Sequence, residues 1–189
     1  MPDRPNTRTS NPWVLLLRGI NVGGHGKLPM AELKALLLRL GASNVTTYIQ
    51  SGNAVFTGAL DPNAFARDLA EAIDRNHGFR PNIQLFIAES FREIVAAYPF
   101  PEAHAEPKTG HVWFCAQAPA PDTARLDALA APTERYRIAP RALYLHAPDG
   151  IGRSKLAERA EALLGVPTTA RNLNTCTKLV ALLDDLAAG

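Results

Sequence analysis

Five consecutive apolar side chains, Trp13, Val14, Leu15, Leu16 and Leu17, are ended by Arg18 and Gly19. A run this short, closed by a glycine-rich stretch, reads as a buried strand over residues 13–18. A strand with one face in water alternates apolar and polar residues. This one does not, so both of its faces are covered. Val112, Trp113, Phe114 and Cys115 repeat the feature in the second half of the chain. Both runs predict central strands, and from them we expect the two halves to pack against each other or against another subunit.

The periodicities around the first run set an order of elements. Residues 19–28 (GINVGGHGKL) form a loop, with Leu28 as the expected N-cap of the next helix. Pro29 stands where a first helical residue belongs, Met30, Leu33, Leu37 and Leu40 follow at helical spacing, and Gly41 is a stop. Residues 45–50 (VTTYIQ) predict a strand, Ser51-Gly52-Asn53 a tight turn, and 54–57 the returning strand. Asp61-Pro62 opens a helix striped by Phe65, Leu69 and Ile73, and 82–88 (NIQLFIA) is a further strand. The order β-α-β-β-α-β predicts a ferredoxin-like half, with two helices on one face of a four-stranded antiparallel sheet.

Residues 89–98 predict a short helix and 99–108 (PFPEAHAEPK) a proline-rich connector. The order then recurs. Residues 110–116 predict a strand, Asp122 caps a helix with Leu126 and Leu129, and 133–139 with 141–146 predict a hairpin. A helix over 155–164 is stopped by Gly165, 166–170 is a short strand, and a last helix carries Leu179, Leu182, Leu183 and Leu186. The expected fold class is α+β: two ferredoxin-like (βαββαβ) halves packed together, with an extra C-terminal helix. The expected organisation is a disordered leader over 1–11, halves over 12–98 and 109–189, and the connector over 99–108.

Composition narrows the function classes. Lys+Arg is 20 and Asp+Glu is 18, a formal charge of +2 on 189 residues. Binders of duplex nucleic acid or anionic membranes carry a larger basic excess. No run approaches the ~18 apolar residues of a membrane span, and the first eleven residues lack the apolar core of a signal peptide. Cys115 and Cys176 lie far apart, with no CxxC, and read as reduced, buried thiols. The expected location is cytoplasmic.

Four polar stretches are candidates for chemistry. In GINVGGHGK, glycines let backbone N–H groups approach an anion, and the start of a helix adds partial positive charge. Arg18, Gly19, Asn21, Gly23, Gly24 and Lys27 are the candidate ligand contacts here. The stretch is not a P-loop, because Asn21 stands where the first glycine belongs and Leu28 where the Ser/Thr belongs. It is not a dinucleotide fingerprint either, because Pro29 replaces the last glycine. A loop that merely needs positive φ is the alternative.

PDGIGRSK, residues 148–155, is a second glycine-containing, basic loop, with Arg153 and Lys155 as candidates. Reading the first and third strands of each half as parallel, we expect this loop and 19–28 at equivalent sheet edges, facing one cleft. The alternative is Ser154 capping a helix beside solvated charges. YIQSGN puts Gln50, Ser51 and Asn53 at a hairpin tip, where a turn is the favoured reading, since no histidine is adjacent and no GxSxG or SxxK occurs. ARNLNTCTKL offers Arg171, Asn172 and Thr175 as anion contacts, with an asparagine also able to cap the last helix. The five histidines show no metal-ligand spacing. His25 and His146 border the two glycine loops as acid–base candidates, with surface histidines the alternative. An RNA-recognition domain needs exposed aromatics and a characteristic pattern that the third strand, with Phe56 alone, does not offer.

The segments LLRGINVGG, KLPMAEL, YIQSGNAVF, GRSKL and RNLNTCTKL occur in that order over Leu15–Leu179. Together they resemble the bacterial family called domain of unknown function sixteen ninety-seven. The resemblance implies an α+β fold of two ferredoxin-like halves and implies no activity. It also implies an aromatic residue after Arg-Asn, where this chain has Leu173.

The leading expectation is a protein of unknown function that binds a small anionic, phosphate-containing ligand between its halves. A protein-interaction module with no small-molecule site is the alternative, and single-stranded nucleic-acid binding a weaker one. The sequence names no cofactor, metal or catalytic residue, offers no membrane partner, and leaves the oligomeric state open.

Overall fold

The structure, a computed structural model, describes residues 10–188. The expected leader lies outside the described residues up to position 9, and Asn11 already opens the first strand. The chain divides into two compact units. The first runs to Phe91 and takes in the chain from Ala181; the second is Arg92–Val180.

The first unit is built from β1 (Asn11–Arg18), α1 (Met30–Arg39), β2 (Ser43–Tyr48), β3 (Asn53–Gly58), α2 (Pro62–His77) and β4 (Asn82–Ile87). Its sheet has the order β2-β3-β1-β4, and every neighbouring pair is antiparallel. Trp13, Leu15 and Leu17 share a face with Ala54 and Phe56 and join Leu33, Leu37, Leu69 and Ile73 of the two helices in one core. The Trp13 indole N–H donates to the Gly58 carbonyl at 3.0 Å, so its polar atom is satisfied inside that core. Asp61 caps α2 by accepting from the Ala64 N–H at 2.8 Å, with Pro62 as the first helical residue. Pro29 is the N-cap of α1 and Met30 its first residue, one position later than the spacing predicts. Its ψ of 139° is extended, as a residue entering a helix from a loop requires.

The second unit repeats the plan with β5 (Gly110–Cys115), α5 (Thr123–Leu129), β6 (Arg135–Ala139), β7 (Ala142–His146), α6 (Lys155–Leu164) and β8 (Thr168–Asn172). Its sheet order is β6-β7-β5-β8, again fully antiparallel. Trp113, Cys115, Leu143 and Leu145 pack with Leu126 of α5 and Leu156, Ala160 and Leu164 of α6. Helix α3 (Ala88–Ala96) and the C-terminal helix α7 (Leu173–Ala188) complete the chain, and the division between units falls inside each of them. The residues expected to form a connector hold the one-turn helix α4 (Glu102–Ala105) and a 3-10 turn, and belong to the second unit.

The doubly apolar strand β5 has a local explanation. Its second face, carrying Val112 and Phe114 beside Tyr144, is covered from within the unit. The Tyr98 hydroxyl donates to the Leu145 carbonyl and the Tyr144 hydroxyl to that of Ile94, while Leu173 lies over Gly110. In the first unit Val14 and Leu16 are likewise fully buried, on the face that carries Phe86, which contacts Phe91.

One expectation is corrected by these pairings. The first and third strands of each half are antiparallel, not parallel: β1 with β3, and β5 with β7. A helix returns the chain between two strands of like direction, and the hairpin then reverses it, so the third strand must oppose the first. Loop 19–28 follows a first strand and loop 148–155 follows a third strand. They therefore leave their own sheets at opposite, non-equivalent ends.

Candidate functional site

At the end of the first unit where β1 stops, two of the sequence motifs meet. Asn21 joins them. Its Nδ2 donates to the Leu28 carbonyl at 2.9 Å and to the Gln50 carbonyl at 2.8 Å, while its Oδ1 accepts from the Leu28 N–H at 2.9 Å. Its backbone sits at φ 54°, a left-handed conformation that asparagine tolerates better than most residues. The loop between folds back on itself: Asn21 N–H donates to the Gly26 carbonyl, and His25 N–H to that of Val22. Gly23 and Gly24, at φ 59° and 80°, form the tight turn at its tip, where both central residues need positive φ. A side chain at Gly26 would stand 2.6 Å from the Gly19 carbonyl oxygen, so glycine is required there for contact as well as conformation.

The β2–β3 tip is held just as firmly. Asn53, fully buried, donates to the Tyr48 carbonyl and the Ser51 hydroxyl, both at 3.0 Å. The Gly52 carbonyl accepts from the Leu17 N–H at 2.8 Å, and a Cβ on Gly52 would meet Ile20 at 2.6 Å. Between them stands Ile49 at φ 49°, a β-branched residue in the left-handed region and half exposed. Sequence reading passed over Ile49 and the exposed Val22. The signal was two apolar residues inside otherwise polar loop tips.

Arg18, Gly19, Gly23, Gly24, His25, Lys27 and Gln50 are exposed on this surface. Among the described residues neither the Gly23 nor the Gly24 N–H has an acceptor, and Lys27 makes no ion pair. No acidic residue occurs in 18–29 or 45–53, whereas Arg18 and Lys27 do.

The remaining candidates belong to the second unit. Arg153 closes the 3-10 turn Ile151–Arg153 and is exposed. Ser154 caps α6 by accepting from the Ala157 N–H at 2.9 Å, and Lys155 is the exposed first residue of that helix. Arg171 is buried on the face of β8 that carries Val112's side of the sheet. Its guanidinium donates to Thr169 Oγ1 and to the Ala170 carbonyl, both at 2.8 Å, and burial lowers its pKa to about 10. Asn172 Oδ1 accepts from the Thr175 N–H at 3.0 Å, which is the capping role. Leu173, where the family resemblance implies an aromatic, is buried against Gly110.

His25 is exposed, whereas His146 is buried and stacked on Phe100 with ring centroids 6.3 Å apart. Burial raises the thiols of Cys115 and Cys176 to about 11 and about 12, so both stay protonated and unreactive at neutral pH. Among the described residues no cluster of His, Cys, Asp or Glu could hold a metal ion, and no helix is long and apolar enough to cross a membrane.

Comparison with known proteins gives a fold relative and a family. A conserved bacterial protein of Streptococcus pneumoniae, SP0830, superposes with a TM-score of 0.67 at 25% identity, over 93% of this chain and 99% of that one. No curated protein matches the chain. The family model described as "Protein of unknown function (DUF1697)" matches residues 11–144, well over half of the chain. The segments that carry the two loop motifs of the first unit lie inside that match, and the chain belongs to the DUF1697 family.

Proposed function

We propose that this protein binds a small anionic, phosphate-containing ligand at the loop end of its first unit. The observation that carries the reading is the Asn21 clamp, which joins loop 19–28 to the tip of the β2–β3 hairpin as one rigid surface. On that surface the Gly23 and Gly24 N–H groups face solvent without acceptors, beside Arg18 and Lys27. Backbone donors fixed in advance lose little entropy on binding an anion. The Ser51 hydroxyl accepts from Asn53, and both thiols are buried and neutral. The βαββαβ order with its strand arrangement supports a ferredoxin-like description of each unit, and two free buried thiols suit a cytoplasmic protein.

A thermal-shift panel of nucleotides, sugar phosphates and acyl phosphates tests the reading. A ligand present at 100 times its Kd stabilises the fold by about 2.7 kcal/mol. Lys27→Ala and Arg18→Ala are expected to weaken any hit; a hit that both variants bind unchanged places the site elsewhere.

A second reading, a surface for another protein, is favoured by Val22 and Ile49, which are 66% and 47% exposed on the same two loops. It predicts no stabilisation by any anion of the panel, and loss of the partner in Val22→Asp.

A further inference from the structure

Helices α5 and α6 of the second unit enclose a groove of about 390 Å³, lined by Arg125, Ala128 and Leu129 on one side and Lys155, Glu158 and Arg159 on the other. Each set is spaced i, i+3, i+4, so each is a single stripe along its helix, and the two stripes face each other. The volume is that of a small-molecule site. The lining holds two apolar side chains, Ala128 and Leu129, and three cations against one carboxylate. None of the three cations pairs with a carboxylate among the described residues. The other acids nearby are committed. Asp122 caps α5, Asp127 accepts from the Tyr136 hydroxyl, and Glu161 accepts from the Thr168 N–H.

This arrangement disfavours the fold by itself. Lys155 and Arg159 are a like-charged i, i+4 pair, and Lys155 is the first residue of α6, at the positive end of the helix dipole. Glu158, in the first turn, is the one acid of that stripe. A bound anion turns the repulsion into attraction, and two guanidinium groups from opposite helices can each present a planar pair of donors.

We propose that the α5–α6 groove binds a phosphate-bearing small molecule, held by Arg125 and Arg159 with Lys155. The site is independent of the loops of the first unit. The test is a titration of the full-length chain with pyrophosphate at low salt, followed by ¹H–¹⁵N correlation spectra. Saturable shifts at residues 125, 155 and 159 are expected. The Arg125→Gln/Arg159→Gln double variant should raise the Kd read at these residues by about tenfold or more, while Arg67→Gln, an exposed change on α2, leaves it unchanged. The double variant should melt no lower than the parent, because a like-charged pair is removed. Lys155→Gln, a single exposed change, should weaken binding in the same direction. The proposal fails if the shifts do not saturate, or if both groove variants bind pyrophosphate like the parent. It also fails if a short single-stranded oligonucleotide outcompetes pyrophosphate at the groove, since that marks a nucleic-acid surface.

Discussion

The Asn21 side-chain amide donates to the backbone carbonyl of Gln50 at 2.8 Å, across 29 residues of sequence. Together with its two bonds to Leu28, this makes one side chain the fastener of both loops at the end of the first unit. Asn21→Ala deletes all three bonds and leaves alanine at positive φ. A loss of about 2–3 kcal/mol is expected. Asn21→Gly accepts the backbone conformation and should recover roughly 1 kcal/mol of it. Urea denaturation gives both values, and faster amide exchange at Leu28 should accompany them. Equal stability of the parent and the alanine variant would show that the clamp holds nothing.

Ile49 is strained where it stands. A β-branched residue at φ 49° costs about 1–3 kcal/mol, and its side chain is half exposed, so little burial offsets that. Ile49→Gly should therefore raise stability by about 0.5–1 kcal/mol after glycine's own entropic cost. The denaturation midpoint should move up with the slope unchanged. A lower midpoint would mean that Ile49 contributes contacts which outweigh its backbone.

Most elements were legible because helices and strands write their periods into the chain: Met30, Leu33, Leu37 and Leu40 give α1, and Asp61-Pro62 gives the start of α2. The one-turn helix α4 was not, since four residues carry no period and three nearby prolines mask it. The loop motifs were found, but the Asn21–Gln50 bond was not, because nothing local encodes a contact across 29 positions. The burial of Arg171 was hidden for another reason. Its neighbours in sequence are polar, and only strand alternation in the folded sheet turns it onto the same face as Val112. Arg125 and Arg159 were passed over because a groove between two helices appears only when both stripes are set side by side.

Gly110 and Leu173 should prove coupled. A Cβ at position 110 would lie 2.5 Å and 2.8 Å from Leu173 carbons and 2.9 Å from Ala103 Cβ, although the φ of −94° suits any residue. Gly110→Ala is therefore an overpacking change, expected to cost about 1–3 kcal/mol. Leu173→Ala opens a cavity and costs about 2–5 kcal/mol. In the double variant the new methyl occupies part of that space, so the combined loss should fall below the sum by about 1 kcal/mol or more. Additive losses in a double-mutant cycle would refute the contact.

His111 gives the second unit a pH dependence of definite sign. The ring is buried, the Lys108 backbone engages it by a hydrogen bond, and its Nε2 has no partner. Burial penalises the charged form and pulls the pKa from 6.5 down to about 4, against the Lys108 bond, which acts the other way. Between those two values the unfolded chain binds a proton that the folded chain does not. Stability therefore rises with pH across this window: it is complete above 6.5 and lost as pH falls toward 4. The full difference is on the order of 3 kcal/mol. Other groups also titrate in this range, so the informative quantity is the difference between the parent and His111→Gln. Glutamine keeps a donor for the Lys108 carbonyl but carries no titrating proton. Urea denaturation at pH 7.5 and pH 4.5 should show the parent losing more stability than the variant, by about 2 kcal/mol. Parallel acid limbs for the two proteins would mean that His111 titrates in the folded state as it does in the unfolded chain.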